Sequence, residues 1–326
     1  MITLTLLSIF SGTAIVWISA QKLEKYSVLS ASNYGMSPFL IGSTVIAFGT
    51  SAPEMLTSLF AALDDKAVMV VGNVIGSNVA NIALVFGITL GVLFFRKEDF
   101  SAKPEISLNL VILILSTLLI CIILNFDPFD FYSSITLLAA LFVVIVIWYK
   151  TNTGNEPQFE SSDEKYLLLK LLLSLASLVI GAWLITDGAL NILETTKQGE
   201  LFVGFTVLAI GTSIPEIAAA LALASKGRNE AVAGTLIGSN IFNGLFVLAI
   251  PGLIGSASSS KYNNIILNTY ISQYNPLLLL LLCVTVVFCL YIFLRTKTPK
   301  RASLGICILL FISYFLSLSL VYTYIS

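Results

Sequence analysis

The 326-residue sequence predicts an all-α integral membrane protein, with ten transmembrane helices arranged as two inverted-topology five-helix repeats. Three observations carry this prediction. Hydrophobic residues make up 57% of the chain and charged residues only 11%, whereas soluble domains carry about 25% charged residues. The charges fall in short interruptions between apolar runs of about 20 residues, the length that crosses a hydrocarbon core roughly 30 Å thick. The polar motifs of one half also recur, in order, in the other.

The spans are expected at about 2–20, 37–62, 68–95, 105–125, 131–149, 166–186, 201–224, 230–255, 274–294 and 302–325. The opening Met1-Ile-Thr-Leu has no positive segment, so it reads as the first spanning helix and not as a signal peptide. The longest polar stretch, 150–165, is a linker too short to be a domain. It divides the chain into a first five-helix repeat at 1–149 and a second at 166–326. Numbered along the chain, the odd loops hold 14 of the 17 lysines and arginines, and the even loops only Lys66, Lys197 and Lys261. Basic residues stay on the cytoplasmic side. The odd loops are therefore expected in the cytoplasm, with both termini outside a cell (plasma or inner) membrane. Trp17, Trp148 and Trp183 read as interfacial anchors near span ends, and Arg295–Arg301 as a topology anchor. Asp127, Asp130 and Asp187 read as interfacial, with Asp187 near the outer end of the sixth span.

An odd number of spans per half makes the second half enter the membrane from the opposite side, and the halves are related. Residues 42–54 (Gly-Ser-Thr-Val-Ile-Ala-Phe-Gly-Thr-Ser-Ala-Pro-Glu) match 204–216 (Gly-Phe-Thr-Val-Leu-Ala-Ile-Gly-Thr-Ser-Ile-Pro-Glu) at nine of 13 positions. At the same offset of 162, residues 72–81 match 234–243 at six of ten.

Composition excludes several classes. A net charge of −1 offers no field for nucleic acid. Cys121, Cys283, Cys289 and Cys307 lie in apolar spans without paired spacing and read as packing residues, so neither a disulfide framework nor a zinc site is expected. A chain with no histidine is a poor candidate for an intramembrane hydrolase, which needs a nucleophile and its base.

Glu54 and Glu216 are the only ionisable residues in spans 37–62 and 201–224. A carboxylate near the bilayer centre costs about 2.5–3.5 kcal/mol on insertion scales, so a pair at equivalent positions needs a compensating role. A pair of protonated carboxyls joining helices is one such role; a cation site is the other. Thr50, Ser51 and Glu54 share a helical face, as do Thr212, Ser213 and Glu216. Pro53 and Pro215 each lack an amide proton and should kink or unwind the helix, freeing main-chain carbonyls. Such backbone is tolerated at that depth only where it lines a cavity. Ser77, Asn78 and Asn81, with Ser239, Asn240 and Asn243, supply further oxygens or else serve as interhelical glue. Hard oxygen donors suit Na⁺ or Ca²⁺ better than zinc, copper or iron.

At these residues the sequence resembles the calcium/cation antiporter superfamily, specifically the short prokaryotic sodium/calcium exchangers. The two α-repeats of that family pair Gly-Thr-Ser-x-Pro-Glu with Gly-Ser-Asn-x-x-Asn. They stand here at 49–54 with 76–81 (within about 37–95) and at 211–216 with 238–243 (within about 201–255). The resemblance implies ion ligands at the carbonyl of Ala47, Thr50, Ser51, Glu54, Ser77 and Asn81. In the second repeat it implies the carbonyl of Ala209, Thr212, Ser213, Glu216, Ser239 and Asn243. Some relatives carry Asp at the position of Asn243, so the amide removes a third carboxylate. The implied activity is electrogenic exchange of Na⁺ for Ca²⁺ by alternating access, with no enzymatic step, no cofactor, and no partner beyond the two ions and the lipid bilayer. A calcium/proton antiporter is the alternative, and a passive cation channel a more distant one.

Overall fold

A chain that crosses lipid has to satisfy its own backbone polar groups, and a helix does so locally. The computed structural model describes residues 2–32, 41–98, 100, 106–126, 128–151, 165–196, 199–254, 264–294 and 300–325. Ten helices long and apolar enough to cross a membrane lie among them. The first half comprises α1 (Ile2–Ser32), α2 (Ile41–Ile46 continuing into Ala47–Leu63), α3 (Ala67–Phe95), α4 (Ser107–Phe126) and α5 (Phe131–Thr151). The second comprises α6 (Leu167–Thr196), α7 (Glu200–Ser225), α8 (Asn229–Ile254), α9 (Asn264–Leu294) and α10 (Lys300–Ile325). Positions 37–40, Asp127 and the linker residues 152–164 lie outside the described residues.

The helices agree with the predicted spans but three run longer. α1 continues to Ser32, α6 continues to Thr196, and α9 begins at Asn264. Beyond the apolar run of α1, the good helix formers Gln21, Lys22, Leu23, Glu24 and Lys25 extend the helix with polar residues. Asp187 accordingly lies inside α6, half-buried, where its carboxylate accepts from the Asn191 amide at 3.3 Å; it does not mark the end of the helix. One tryptophan differs from expectation: Trp148 is fully buried, whereas Trp17 and Trp183 are exposed on the outer surface.

Burial sorts the helices into a centre and a surround. In α2, α3, α7 and α8, 61–83% of the spanning window is buried, against 24–56% elsewhere, so the four motif-bearing helices form the core. α1 packs along α6, and α6 on α2; α4 and α5 flank α8, while α9 and α10 flank α3. The surround exposes Phe10, Phe142, Leu168, Phe293 and Phe315, an apolar outer surface matched to lipid and not to water.

The two halves reuse the same contacts. Gly76 of α3 lies against Phe205 and Ala209 of α7, and Gly238 of α8 lies against Ser43 and Ala47 of α2, the positions 162 residues away. The turns match as well. After α2, the amide of Asp65 donates to the Ala62 carbonyl and that of Lys66 to Ala61; after α7, Gly227 donates to Ala224 and Arg228 to Leu223. Both turns hold their apex in the left-handed region, Asp65 at φ 57° and Gly227 at φ 69°. This is the 6→1 and 5→2 bonding that closes helix C-termini. It lets each half fold its α2–α3 or α7–α8 pair into a tight antiparallel hairpin.

Candidate ion-binding site

The site begins in α2 and α7, each of which widens into a π-helical turn just before its motif, at Ile41–Ile46 and Gly204–Leu208. Such turns are rare and concentrate at functional sites. Past them the two helices diverge. α2 stays helical from Ala47 to Leu63 with Pro53 inside, so the expected unwinding does not occur there; what Pro53 removes is the amide that would bond the Gly49 carbonyl. In α7 the helix stops at Thr212, bends at Ser213 (φ −81°, ψ 0°) and resumes at Ile214, as expected of the second repeat. The facing helices are also irregular: α3 passes through a π-helical stretch at Ala80–Phe86, which contains Asn81, and α8 breaks after Leu245.

All twelve residues expected to supply ligands are at most 2% exposed: Ala47, Thr50, Ser51, Glu54, Ser77, Asn81, Ala209, Thr212, Ser213, Glu216, Ser239 and Asn243. Contacts across the repeats draw them together. The hydroxyls of Thr50 and Ser239 are 3.4 Å apart. The Asn78 amide donates to the main-chain carbonyl of Asn240, its own counterpart, at 3.2 Å, and Phe48 meets Phe242 edge-on at 5.9 Å. One of the motif residues is thereby assigned to holding helices together, the Asn78 amide that ties the halves, whereas the Asn240 amide turns back onto its own helix and donates to the Leu236 carbonyl at 2.7 Å.

A different set has nowhere to send its polar atoms. Ser51 Oγ, both carboxylate oxygens of Glu54, both amide atoms of Asn81 and of Asn243, and Ser213 Oγ are buried without a hydrogen-bond partner. Leaving a buried polar group unsatisfied costs about 1–3 kcal/mol, more for a charged one, so proteins rarely do it without a reason. Five of the expected ligand positions, drawn from α2, α3, α7 and α8, share this property, and the side-chain oxygens of Asn78 and Asn240 are unpartnered as well. The atoms of the five are hard oxygen donors plus two amide side chains, on the four helices that also carry the buried acids Glu54 and Glu216, a donor chemistry that suits Na⁺ or Ca²⁺. The carbonyl of Ala47 lies 3.4 Å from the Thr50 hydroxyl, and that of Ala209 accepts the Ser213 amide at 3.0 Å. A carbonyl keeps a second lone pair after one such bond.

A second polar cluster behind Glu54 was not singled out by the sequence. The Asn73 amide on α3 donates to Ser58 Oγ at 2.9 Å and lies 3.5 Å from both the Glu54 carbonyl and Thr57 Oγ1. Thr57 donates to the Pro53 carbonyl at 2.9 Å. Ser77 in turn donates to Asn73 Oδ1 at 3.4 Å. The available signal was a mismatch in the repeat alignment, where Asn73 faces Thr235.

A core of four helices related by inverted repeats, with two buried acids among irregular backbone and unpartnered oxygens, is the architecture of a secondary transporter. The comparisons with known proteins give the family. A model described as sodium/calcium exchanger protein matches residues 3–150 and 166–323, and the chain belongs to that family. The protein CaxA of Alkalimonas amylolytica is 32% identical over 277 residues, covering 80% of this chain and 85% of its own. The sodium/calcium exchanger MaX1 of Methanosarcina acetivorans is 26% identical over 298 residues, covering 78% and 84%. Among solved structures, the sodium-calcium exchanger NCX_Mj soaked with Na⁺ and Sr²⁺ superposes with a TM-score of 0.68 at 24% identity, over 98% of this chain and 99% of that one. This likeness extends the shared fold to nearly the whole length.

Proposed function

We propose that this protein is a secondary antiporter that exchanges Na⁺ for Ca²⁺ across a cell membrane by alternating access. The observation that carries the reading is the coincidence of the motif positions with the unpartnered buried donors Ser51, Glu54, Asn81, Ser213 and Asn243. Glu54 and Glu216 form the charged centre, and the hydroxyls of Thr50, Ser77, Thr212 and Ser239 complete the shell with the carbonyls of Ala47 and Ala209. Two acids balance one Ca²⁺, or part of the charge of several Na⁺, so the ions compete for the same oxygens. An empty site leaves uncompensated anionic charge in a low-dielectric interior, and that penalty discourages return without cargo.

Energetics set the exchange ratio. Moving one charge through 100 mV is worth about 2.3 kcal/mol, and each tenfold concentration ratio about 1.4. Exporting Ca²⁺ against a ~10⁴-fold gradient then takes roughly 10 kcal/mol. Each Na⁺ entering down a tenfold gradient contributes about 3.7 kcal/mol, so about three are required and the cycle is electrogenic. The distribution of lysine and arginine supports an orientation with the odd loops and the 150–165 linker on the cytoplasmic side and both termini outside.

The test is ⁴⁵Ca²⁺ uptake into proteoliposomes loaded with Na⁺. Uptake is expected to need the outward Na⁺ gradient and to fall at least tenfold in Glu54→Gln. Uptake that persists when choline replaces Na⁺ and follows an imposed pH gradient instead would assign the chain to calcium/proton antiport.

A further inference from the structure

The repeats are identical at the six pairs of residues proposed to hold the ion, but they differ in what stands behind those residues. In the first half Asn73 bridges α3 to α2. Its amide nitrogen donates to Ser58 Oγ at 2.9 Å and lies beside the Glu54 carbonyl and Thr57 Oγ1, and its carbonyl oxygen receives the Ser77 hydroxyl at 3.4 Å. An asparagine side chain offers two donors and an acceptor, so one residue can bind both helices at once. Thr186 of α6 adds a contact from a third helix, with its hydroxyl 3.5 Å from the Thr57 carbonyl.

In the second half the corresponding residues are Thr235, Ala219 and Ala220. Two alanines have no polar side-chain atom to offer. The Thr235 hydroxyl is buried without a partner, although its residue is only 1% exposed. Among the described residues, none of these three side chains bridges α7 to α8, and α7 is interrupted at Ser213, three residues before Glu216. The first half keeps α2 continuous from Ala47 to Leu63 through its motif.

Resting on the site reading given above, we propose that Asn73 is a positioning residue that fixes Glu54 and Ser77 as a rigid half-site, while Glu216 and Ser239 form a compliant half-site that adjusts to the ion. Ca²⁺ and Na⁺ have similar radii but different charge and coordination demands, and one set of donors has to serve both. A fixed half supplies a template and the other half supplies the adjustment. Loosening the fixed half degrades ion affinity more than turnover, because turnover depends on rearrangement that the latch does not drive.

The test combines kinetics with amide hydrogen exchange of the full chain in detergent or liposomes. Asn73→Ala and the milder Ser58→Ala are expected to raise the Ca²⁺ KM of Na⁺-driven uptake about threefold to tenfold with Vmax within about twofold, as loss of a buried hydrogen bond implies. In wild type, amides in 67–79 are expected to exchange more slowly than those in 229–241. Asn73→Ala should erase that difference, and the double variant A220S/T235N should narrow it by slowing 229–241. An unchanged KM in both single variants, a loss of Vmax at constant KM, or equal exchange of the two segments in wild type overturns the proposal. Glu54→Gln run alongside separates the two readings: wild-type flux in that variant rejects the ion site itself, whereas lost flux there with wild-type KM in Asn73→Ala rejects only the latch.

Discussion

Ser51 and Ser58 lie two turns apart on α2, both fully buried, and they are set to opposite tasks. Ser58 accepts the Asn73 amide, whereas Ser51 Oγ has no partner. Removing the Ser51 hydroxyl deletes an unsatisfied group, so Ser51→Ala should stabilise the ion-free protein by up to about 1 kcal/mol. The same change removes a proposed ligand and should cut the thermal stabilisation conferred by Ca²⁺. Ser58→Ala leaves the Asn73 donor unpaired and should destabilise by about 1–2 kcal/mol with or without the ion. Thermal unfolding in detergent, with and without Ca²⁺, checks both; equal behaviour of the two variants would contradict the assignment. The motif showed which residues carry oxygen, but not this division, because serine in a membrane helix is equally suited to ligation and to bonding its neighbours.

Among the elements, the hairpins and the close helix crossings carry the architecture. Gly227 closes α7 at φ 69°, where a Cβ is strained, so Gly227→Ala should lower stability by about 1 kcal/mol while leaving Na⁺-driven uptake intact in the folded fraction. Gly76 is a different case. A Cβ there would stand 2.7 Å from Ala209 Cβ and 2.8 Å from the Phe205 carbonyl oxygen, across the repeat interface. Gly76→Ala should cost about 1–3 kcal/mol by overpacking and displace α3 from α7, lowering both melting temperature and uptake. Spans were legible because apolar length is dictated by bilayer thickness. The extensions of α1 and α6 were not, since their last turns leave the apolar layer and hydropathy reads them as loop. The proline pattern was legible only in part. Pro215 follows a broken helix, but Pro53 sits inside a continuous one, where neighbouring helices can re-satisfy the freed backbone.

In the molecule as a whole, duplication explains why a candidate site was legible in the sequence. Two copies of one motif, at a constant offset of 162, fixed the relation between halves before any coordinates, and the matched contacts of Gly76 and Gly238 realise it. What the duplication hid was the divergence of the copies: Asn73, Ser58 and Thr57 against Thr235, Ala220 and Ala219. The burial of Trp148 was hidden too, because a tryptophan near a span end carries the same signal whether it faces lipid headgroups or the protein interior. The whole arrangement depends on Glu54 and Glu216 serving one cation centre. Equilibrium ⁴⁵Ca²⁺ binding to purified wild type, Glu54→Gln, Glu216→Gln and the double variant measures that most directly. One high-affinity Ca²⁺ per chain is expected, weakened at least about tenfold by either substitution, with the double variant far from additive. Two independent Ca²⁺ sites, each removed by one substitution and untouched by the other, would contradict it.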